Sequence, residues 1–401
     1  VAVQFHKKDL KMLFVTLILM GILTGAEVDL FIPSFPELQS VFGLTPFMVE
    51  LTLSVNLIAH CFSALIAGNM GDRYGRKPVI LGGLVIFTLG SLLCVFATQF
   101  WVLLLGRALQ GIGISGPAVL SYVVLADLFS AEEQQRKMGI LNGIITLAMA
   151  MAPVFGSYVS LYCHWQGNFV VLLLLGISCL LLGLVYIPEG RKNPSISLSL
   201  KEYWPILTSP NAMRHIFMIC LLCQGYWMFI GISPILYVED LGVSLDKFGF
   251  YQGSIAGAFS IISLTGSLFL KKWGQQTCLN VSFGIILVFA FLSSFLILFH
   301  LNNPLLITGT LILFAIGLVL PVNIFWPLSL EIIPEAKGRF TAFFCAMRLT
   351  MTALGLQLVS YFYEHTYASI GIAMNICIIL GGILYWQINR HYQREKSIVP
   401  A

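Results

Sequence analysis

The feature that most constrains this chain is a succession of apolar runs, each close to twenty residues long. They lie near 11–33, 46–69, 78–97, 101–125, 137–160 and 168–187, and again near 212–238, 247–270, 277–299, 304–328, 337–363 and 366–388. A bilayer's hydrocarbon core is about 30 Å thick, and an α-helix rises about 1.5 Å per residue, so about twenty apolar residues span it. Composition agrees: 58% of residues are hydrophobic and 10% charged, against roughly 25% charged in soluble domains. The 36 glycines suit membrane packing, where small residues let helices approach. The expected fold is an all-α polytopic membrane protein with twelve transmembrane helices. They form two pseudo-symmetric six-helix bundles, 1–187 and 212–401, joined by a polar cytoplasmic linker, 188–211.

Lys7, Lys8 and Lys11 precede the first run, as in a signal peptide. The run is too long for one, carries Glu27 and Asp29, and lacks a small-residue cleavage site, so it reads as the first span. With the N-terminus in the cytoplasm, 19 of the 22 Lys and Arg fall in cytoplasmic loops, tails and linker. Only Lys247 falls outside, and Arg107 and Arg348 lie within spans. The positive-inside rule therefore places both termini in the cytoplasm, and the membrane is expected to be a bacterial inner membrane. The outer loops are short, the longest running from about Pro33 to Pro46, which leaves no room for a receptor ectodomain. The nine cysteines are scattered. Cys220 and Cys223 form a C-x-x-C on an apolar span, where packing is the simpler reading than redox chemistry, and no zinc or disulfide framework is visible.

Between the second and third spans lies Gly68-Asn-Met-Gly71-Asp72-Arg73-Tyr-Gly75-Arg76-Lys77. It reads as a tight turn with glycines where helices meet. Asp72 is placed to act on a neighbouring helix end, and Arg73, Arg76 and Lys77 suit an anionic membrane surface. This run resembles the signature cytoplasmic loop of the major facilitator superfamily. Lys271-Lys272-Trp273-Gly274 is a faded copy in the second half, as expected of a repeat. Leu105-Gly-Arg107-Ala-Leu-Gln110-Gly111 resembles the family's fourth-helix motif. Ala152-Pro153-Val-Phe-Gly156-Ser157 is similar to the antiporter motif of drug exporters, with Ala152 where Gly is usual. Asp29-Leu-Phe31-Ile-Pro33-Ser-Phe-Pro36 is similar to the D-x-Y-x-P-x-x-P stretch of the bicyclomycin-resistance (Bcr/CflA) branch of drug:proton antiporters. There Phe31 stands for the commoner Tyr, and Glu27 is an additional acid.

Charges are costly at bilayer depth and usually face a cavity or a partner. Asp29 lies ~26 Å along its span from Met12, and Arg107 ~9 Å in from Trp101 on a span running the other way. Both fall in the outer third, so the two are expected to pair; the alternative leaves both acids solvated among the outer headgroups. Glu27 and Asp29 are two apart and point about 200° away from each other, so only one faces a central cavity. The resemblance favours Asp29, with the reverse assignment open. Arg348 lies ~16 Å along its span from Lys337, near the midplane. It either binds a substrate carboxylate or makes a structural salt bridge or carbonyl clamp.

Asn56, Gln224, Tyr226, Trp227, Asn323 and Trp326 are polar or aromatic positions on apolar backgrounds, the mixture that lines small-molecule sites; interhelical hydrogen bonding accounts equally well for any one of them. His60 reads as packing rather than proton transfer. Trp101 and Trp273 read as interface anchors. Pro33, Pro234 and Pro327 are expected to end or kink their spans.

No G-x-x-x-x-G-K-[ST] occurs, so ATP is not the expected energy source, and no hydrolase motif suggests an enzyme. The resemblance implies a secondary active transporter: proton-coupled, multidrug-type efflux of small amphipathic molecules by alternating access. Asp29, Glu27 and Arg107 would be its proton-coupling residues. The alternative is a carrier, exporting or importing, of an anionic or zwitterionic metabolite such as a siderophore or amino-acid derivative. Either way the partners are a small-molecule substrate, protons and lipid. No cofactor beyond the proton gradient, no metal and no nucleic acid is expected, and the chain is expected to act as a monomer.

Overall fold

The computed structural model describes residues 7–128, 131–190, 200–333 and 337–398; residues 191–199 of the expected linker, and 1–6 of the N-terminal tail, lie outside the described residues. Helix α1 (Lys7–Asp29) leads through a 3-10 turn, Ile32–Ser34, into the short α2 (Phe35–Phe42). Then come α3 (Pro46–Tyr74), α4 (Arg76–Val95), α5 (Phe100–Leu128) and the long α6 (Ala131–Tyr186). The short α7 (Trp204–Leu207) precedes α8 (Pro210–Pro234), α9 (Leu245–Trp273), α10 (Gln275–Leu298), α11 (Pro304–Leu330), α12 (Lys337–Tyr361) and α13 (Tyr367–Ile398). Among the described residues there is no strand.

Ten helical stretches of the described residues are long and apolar enough to cross a membrane. One, Ile140–Tyr186, has 47 residues, about 70 Å of helix at 1.5 Å per residue and more than two hydrocarbon thicknesses. It breaks at His164 (φ 59°, ψ 179°), which divides it into two crossings. Helix α9, 29 residues with Lys271 and Lys272 in its last turn, supplies a further crossing, bringing the described residues to twelve.

Three of these helices start in the same way. Thr45, Ser209 and Asn303 each precede a proline and accept hydrogen bonds from backbone N–H groups of the first turn. A side-chain cap plus a proline that needs no donor satisfies an N-terminus cheaply, at about 1 kcal/mol per cap. The prolines expected to end spans behave differently. Helix α8 stops at Pro234 and passes into a π-helical turn, Ile235–Asp240. Pro33 sits in the 3-10 turn after α1. Pro327, however, lies inside α11, which continues to Leu330: its ring removes one helical hydrogen bond without stopping the helix.

The chain divides into two units, one of residues 1–198 with 244–253, the other of 199–243 with 254–401. In the first, α5 lies against both α3 and α4, and glycines bring the backbones together. A Cβ on Gly83 would fall 2.5 Å from the Gly113 carbonyl, and one on Gly90 2.7 Å from that of Gly106. Helix α1 lies on α6 through Gly21 and Gly25, against Leu141 and Ile145. In the second unit, α8 packs on α11, α12 and α13, with Phe289 of α10 on Phe314 of α11 (4.9 Å).

The repeat also shows in small details. His164 pairs with Glu37 at 3.0 Å in the first unit, and His365 with Asp240 at 2.9 Å in the second. Both histidines have left-handed φ (59° and 57°). Tyr363 donates to the other Asp240 oxygen at 2.6 Å; burial, and then that carboxylate, push its phenol above the ordinary range. It therefore acts as a standing donor that holds the loop before α13 to the π-helical turn, Ile235–Asp240, that follows α8.

Candidate functional site

The most polar buried cluster of the first unit surrounds Arg107 on α5. The guanidinium is fully buried. Its Nε donates to the Thr52 carbonyl of α3 (3.3 Å) and one terminal nitrogen to Oε1 of Gln110 (2.7 Å). The same nitrogen lies 3.8 Å from Oε1 of Glu27 on α1. Phe31 and Phe169 face the cation at 5.0 and 5.9 Å, as cation–π partners do. Asn56 of α3 donates to the Glu27 carboxylate (2.5 Å) and to the Arg107 carbonyl (3.1 Å). Gln110 passes the chain on to Ser91 of α4 at 2.8 Å. Four helices are thus linked through one buried ion pair.

This corrects the expected pairing of Asp29 with Arg107: the partner is Glu27. Two positions along α1 turn the side chain about 200°, and the face of α1 that meets α5 carries Glu27. Asp29 is also buried (3% exposed), with Oδ1 lacking any hydrogen-bond partner. The first unit buries a third acid, on α3. Glu50 near the start of α3 is fully buried and both its carboxyl oxygens lack partners. It lies four residues after the α3 N-terminal Pro46, where a carboxylate reads from sequence as an ordinary helix-start charge.

The proline–glycine motif of α6 lies against the residue that follows Asp29. Gly156 faces the backbone of Leu30, the residue after Asp29, so closely that a Cβ there would overlap the Leu30 carbonyl oxygen. Ser157 donates back to the Pro153 carbonyl (2.8 Å), bridging the turn where the proline ring interrupts the helix. Asn168 donates to Ser34, Ser160 and the Gly156 carbonyl at 2.8, 2.8 and 3.3 Å. This knot ties the segment after α1 to both arms of α6, and no sequence motif announces it. On the other side, Gly249 of α9 approaches Pro153, Val154 and Ser157.

The glycine-rich loop is organised by Arg76. It pairs with Asp72 at 2.7 Å and with Asp127 of α5 at 3.1 Å, and donates to the Gly71 carbonyl at 3.3 Å. Gly71 itself rests on Leu120. Gly75 takes φ 98°, ψ 154°, and its counterpart Gly274 φ 75°, ψ 161°, so the faded repeat keeps the backbone conformation after losing both arginines. Such a conformation strains any side chain by about 1–3 kcal/mol. Gly75→Ala is therefore expected to lose about that much stability. Gly68→Ala, at a helical position whose Cβ meets nothing within 4 Å, is expected to be neutral or to gain up to about 1 kcal/mol. Denaturant titration of both purified variants makes the comparison.

In the second unit, Gln224 is buried against Gly355 of α12, and its amide nitrogen has no partner. Tyr226 stacks on Phe259 at 6.3 Å and meets Trp227 edge-on at 6.0 Å. Trp326 lies 4.3 Å from Phe344; Asn323 is exposed and Arg348 half-buried. Among the described residues no carboxylate pairs with Arg348. It lies within electrostatic reach of the Cys220, Cys223 and Cys345 thiols instead. Of the residues expected to line a substrate site, Asn56 belongs to the Glu27–Arg107 cluster. The others lie in the second unit, where Tyr226 meets Trp227 and Trp326 meets Phe344.

The sequence profile of the Major Facilitator Superfamily matches residues 17–356. The chain belongs to that superfamily. It is a transporter and not an enzyme. Among its relatives is the bicyclomycin resistance protein homolog of Haemophilus influenzae, 25% identical over 98% of this chain and 100% of that protein. Another is the multidrug resistance protein MdtL of Salmonella typhi, 27% identical over 74% of this chain and 75% of that protein. Two solved structures share the facilitator fold. A bacterial homologue of the human lysosomal transporter Spinster, inward-facing and unoccupied, superposes with a TM-score of 0.74. It has 15% identity and covers 97% of this chain and 99% of its own. A D-xylose-proton symporter gives 0.68 at 15% identity, covering 93% and 97%. In this superfamily member the fourth-helix arginine and the loop glycines were legible beforehand. Glu50 and the Ser34–Ser160–Asn168 knot were not.

Proposed function

We propose that this facilitator exports small amphipathic molecules in exchange for protons, as a monomer in a bacterial inner membrane with both termini in the cytoplasm. The observation that carries the reading is a set of three carboxyls buried in the first two long helices: Glu27 paired with the buried Arg107, and Asp29 and Glu50 with oxygens that lack a partner. A carboxylate sealed away from water is tolerated only when protonated or paired. Glu27 has its pair in Arg107, whereas Asp29 and Glu50 have unpartnered oxygens. An exporter that alternates access between two six-helix halves needs acids whose accommodation changes as the site opens and closes. A proton taken up at Asp29 on the outer side lets the emptied site reseal; its release inside leaves an anion to be met by the next substrate or by water. Tyr226, Trp227, Asn323, Trp326 and Arg348 supply aromatic and polar contacts for the cargo. The relatives named for bicyclomycin and multidrug resistance support drug export and do not favour the siderophore or metabolite carrier.

Reconstitution in liposomes with an imposed pH gradient tests this. Native protein is expected to accumulate a fluorescent lipophilic cation, or bicyclomycin, against its gradient. Asp29→Asn is expected to lower that accumulation at least ~10-fold while leaving downhill exchange measurable, since removing an essential proton acceptor typically costs ~10²–10⁴ in rate. Glu50→Gln separates the second acid. Unchanged gradient-driven accumulation in Asp29→Asn, Glu50→Gln and Glu27→Gln alike would reject the proposal.

A further inference from the structure

A groove of about 680 Å³ runs between α3, α4 and α5, away from the Glu27–Arg107 cluster. Its walls include Ile66, Met70 and Tyr74 of α3, Val79 and Ile86 of α4, and Ile112 of α5. It is open to the outside: Ile66, Tyr74 and Ile112 are 40%, 47% and 38% exposed in the whole structure. The groove is chemically quiet, since the Ser115 hydroxyl on its floor donates to the Ile112 carbonyl (2.7 Å). Water has little to bond there. From Tyr74 to Ser63, its two ends on α3, is ~16 Å of helix. That is about half of the ~30 Å hydrocarbon core, or one leaflet.

The wet end of the groove is charged. Tyr74 and Pro78, which line it, are preceded in the chain by Arg73 and Lys77. Arg76 is held by Asp72 and Asp127. By contrast, among the described residues no carboxylate pairs with Arg73 or Lys77. Arg73 lies over the Tyr74 ring at 5.5 Å, at the mouth. An apolar slot one leaflet long, with two unpaired cations at its membrane-surface end, is complementary to one lipid: a phospholipid of net negative charge.

We infer that this groove is a binding site for an anionic phospholipid, with one acyl chain between α3 and α4 and the phosphate between Arg73 and Lys77. The glycines of α4 shape it. At Gly82, which also lines the groove, a Cβ would meet no protein atom within 4 Å. A larger side chain there grows into the slot without displacing the fold. The lipid bridges two helices that touch less than either touches α5, so it braces the loop that Arg76 organises.

The test uses full-length protein in mild detergent and native mass spectrometry with added phosphatidylglycerol or phosphatidylethanolamine. The expected result is one retained phosphatidylglycerol, favoured over phosphatidylethanolamine. Its occupancy falls at least ~5-fold in Gly82→Leu and in Arg73→Gln/Lys77→Gln. It is unaffected in Gly284→Leu on α10, where the added side chain also meets nothing within 4 Å. Lysophosphatidylglycerol, with one chain, should bind, and glycerol phosphate, with none, should not. Melting without lipid confirms that each variant is folded; because the double glutamine variant changes only charges at the adjoining ends of α3 and α4, it keeps the test decisive if Gly82→Leu fails to fold. Unchanged phosphatidylglycerol occupancy in folded Gly82→Leu, or equal retention of both lipids by the native protein, would overturn the inference.

Discussion

Arg107→Ala is expected to lower the stability of the folded protein by about 3–5 kcal/mol, the usual loss when one member of a buried ion pair is removed. Glu27 would keep only the Asn56 amide, the Thr52 carbonyl would lose its donor, and Gln110 would lose the contact that orients it toward Ser91. Phe31 and Phe169 would face an empty space where a cation now sits. Arg107→Lys should recover little, because an ammonium cannot reach the Thr52 carbonyl and Gln110 together while lying flat against two rings. Removing both charges is a different experiment. In Glu27→Gln/Arg107→Met no unpaired ion remains, and well-packed neutral replacements of buried pairs are often close to neutral. The double variant should therefore be more stable than Arg107→Ala by at least about 2 kcal/mol. Denaturant titration of the purified proteins reads the difference. If the double variant is no more stable than the single one, the two side chains are not each other's electrostatic partners.

The contrast between Glu27 and Asp29 shows how far sequence carries such a protein. Span positions follow from length and hydropathy alone, because the bilayer imposes one dimension on every helix. Arg107 is conspicuous for the same reason: a cation in an apolar run has few places to go. Choosing its partner requires the rotation of α1 about its own axis. That rotation is set where Gly21 and Gly25 pack on Leu141 and Ile145, contacts more than a hundred residues away in the chain. Glu50 escapes notice because a carboxylate in the first turns of a helix is ordinary; only the packing around it removes it from water. Ser34, Ser160 and Asn168 look like scattered polar residues until a kinked α6 brings two of them to the third. Gly75 is the opposite case. Its place in the loop motif was visible, and the repeat of its conformation at Gly274 explains why that glycine persists in a copy that has lost its arginines.

Gly156→Val carries the other large effect. A Cβ at this position would lie over the Leu30 carbonyl oxygen, and 3.0 and 3.2 Å from the carbonyl carbon and Cα of the same residue. These are backbone atoms, which cannot rotate aside, so α1 and α6 must separate. Overpacking of this kind costs about 1–3 kcal/mol. Separation also stretches the bonds from Asn168 to Ser34 and Ser160, and each buried polar group left unsatisfied costs about 1–3 kcal/mol more. A total loss of at least about 3 kcal/mol is expected. Gly143→Ala on the same helix, where a Cβ meets nothing within 4 Å, should cost nothing. Transport should fall further than stability accounts for, because Leu30 adjoins Asp29 and any shift of α1 moves that carboxyl. The milder Gly156→Ala separates the two effects: at a temperature where the variant remains fully folded, pH-gradient-driven accumulation should still drop several-fold. A folded Gly156→Ala that transports like the native protein would mean that this contact sets stability alone, and that the position of Asp29 does not depend on it.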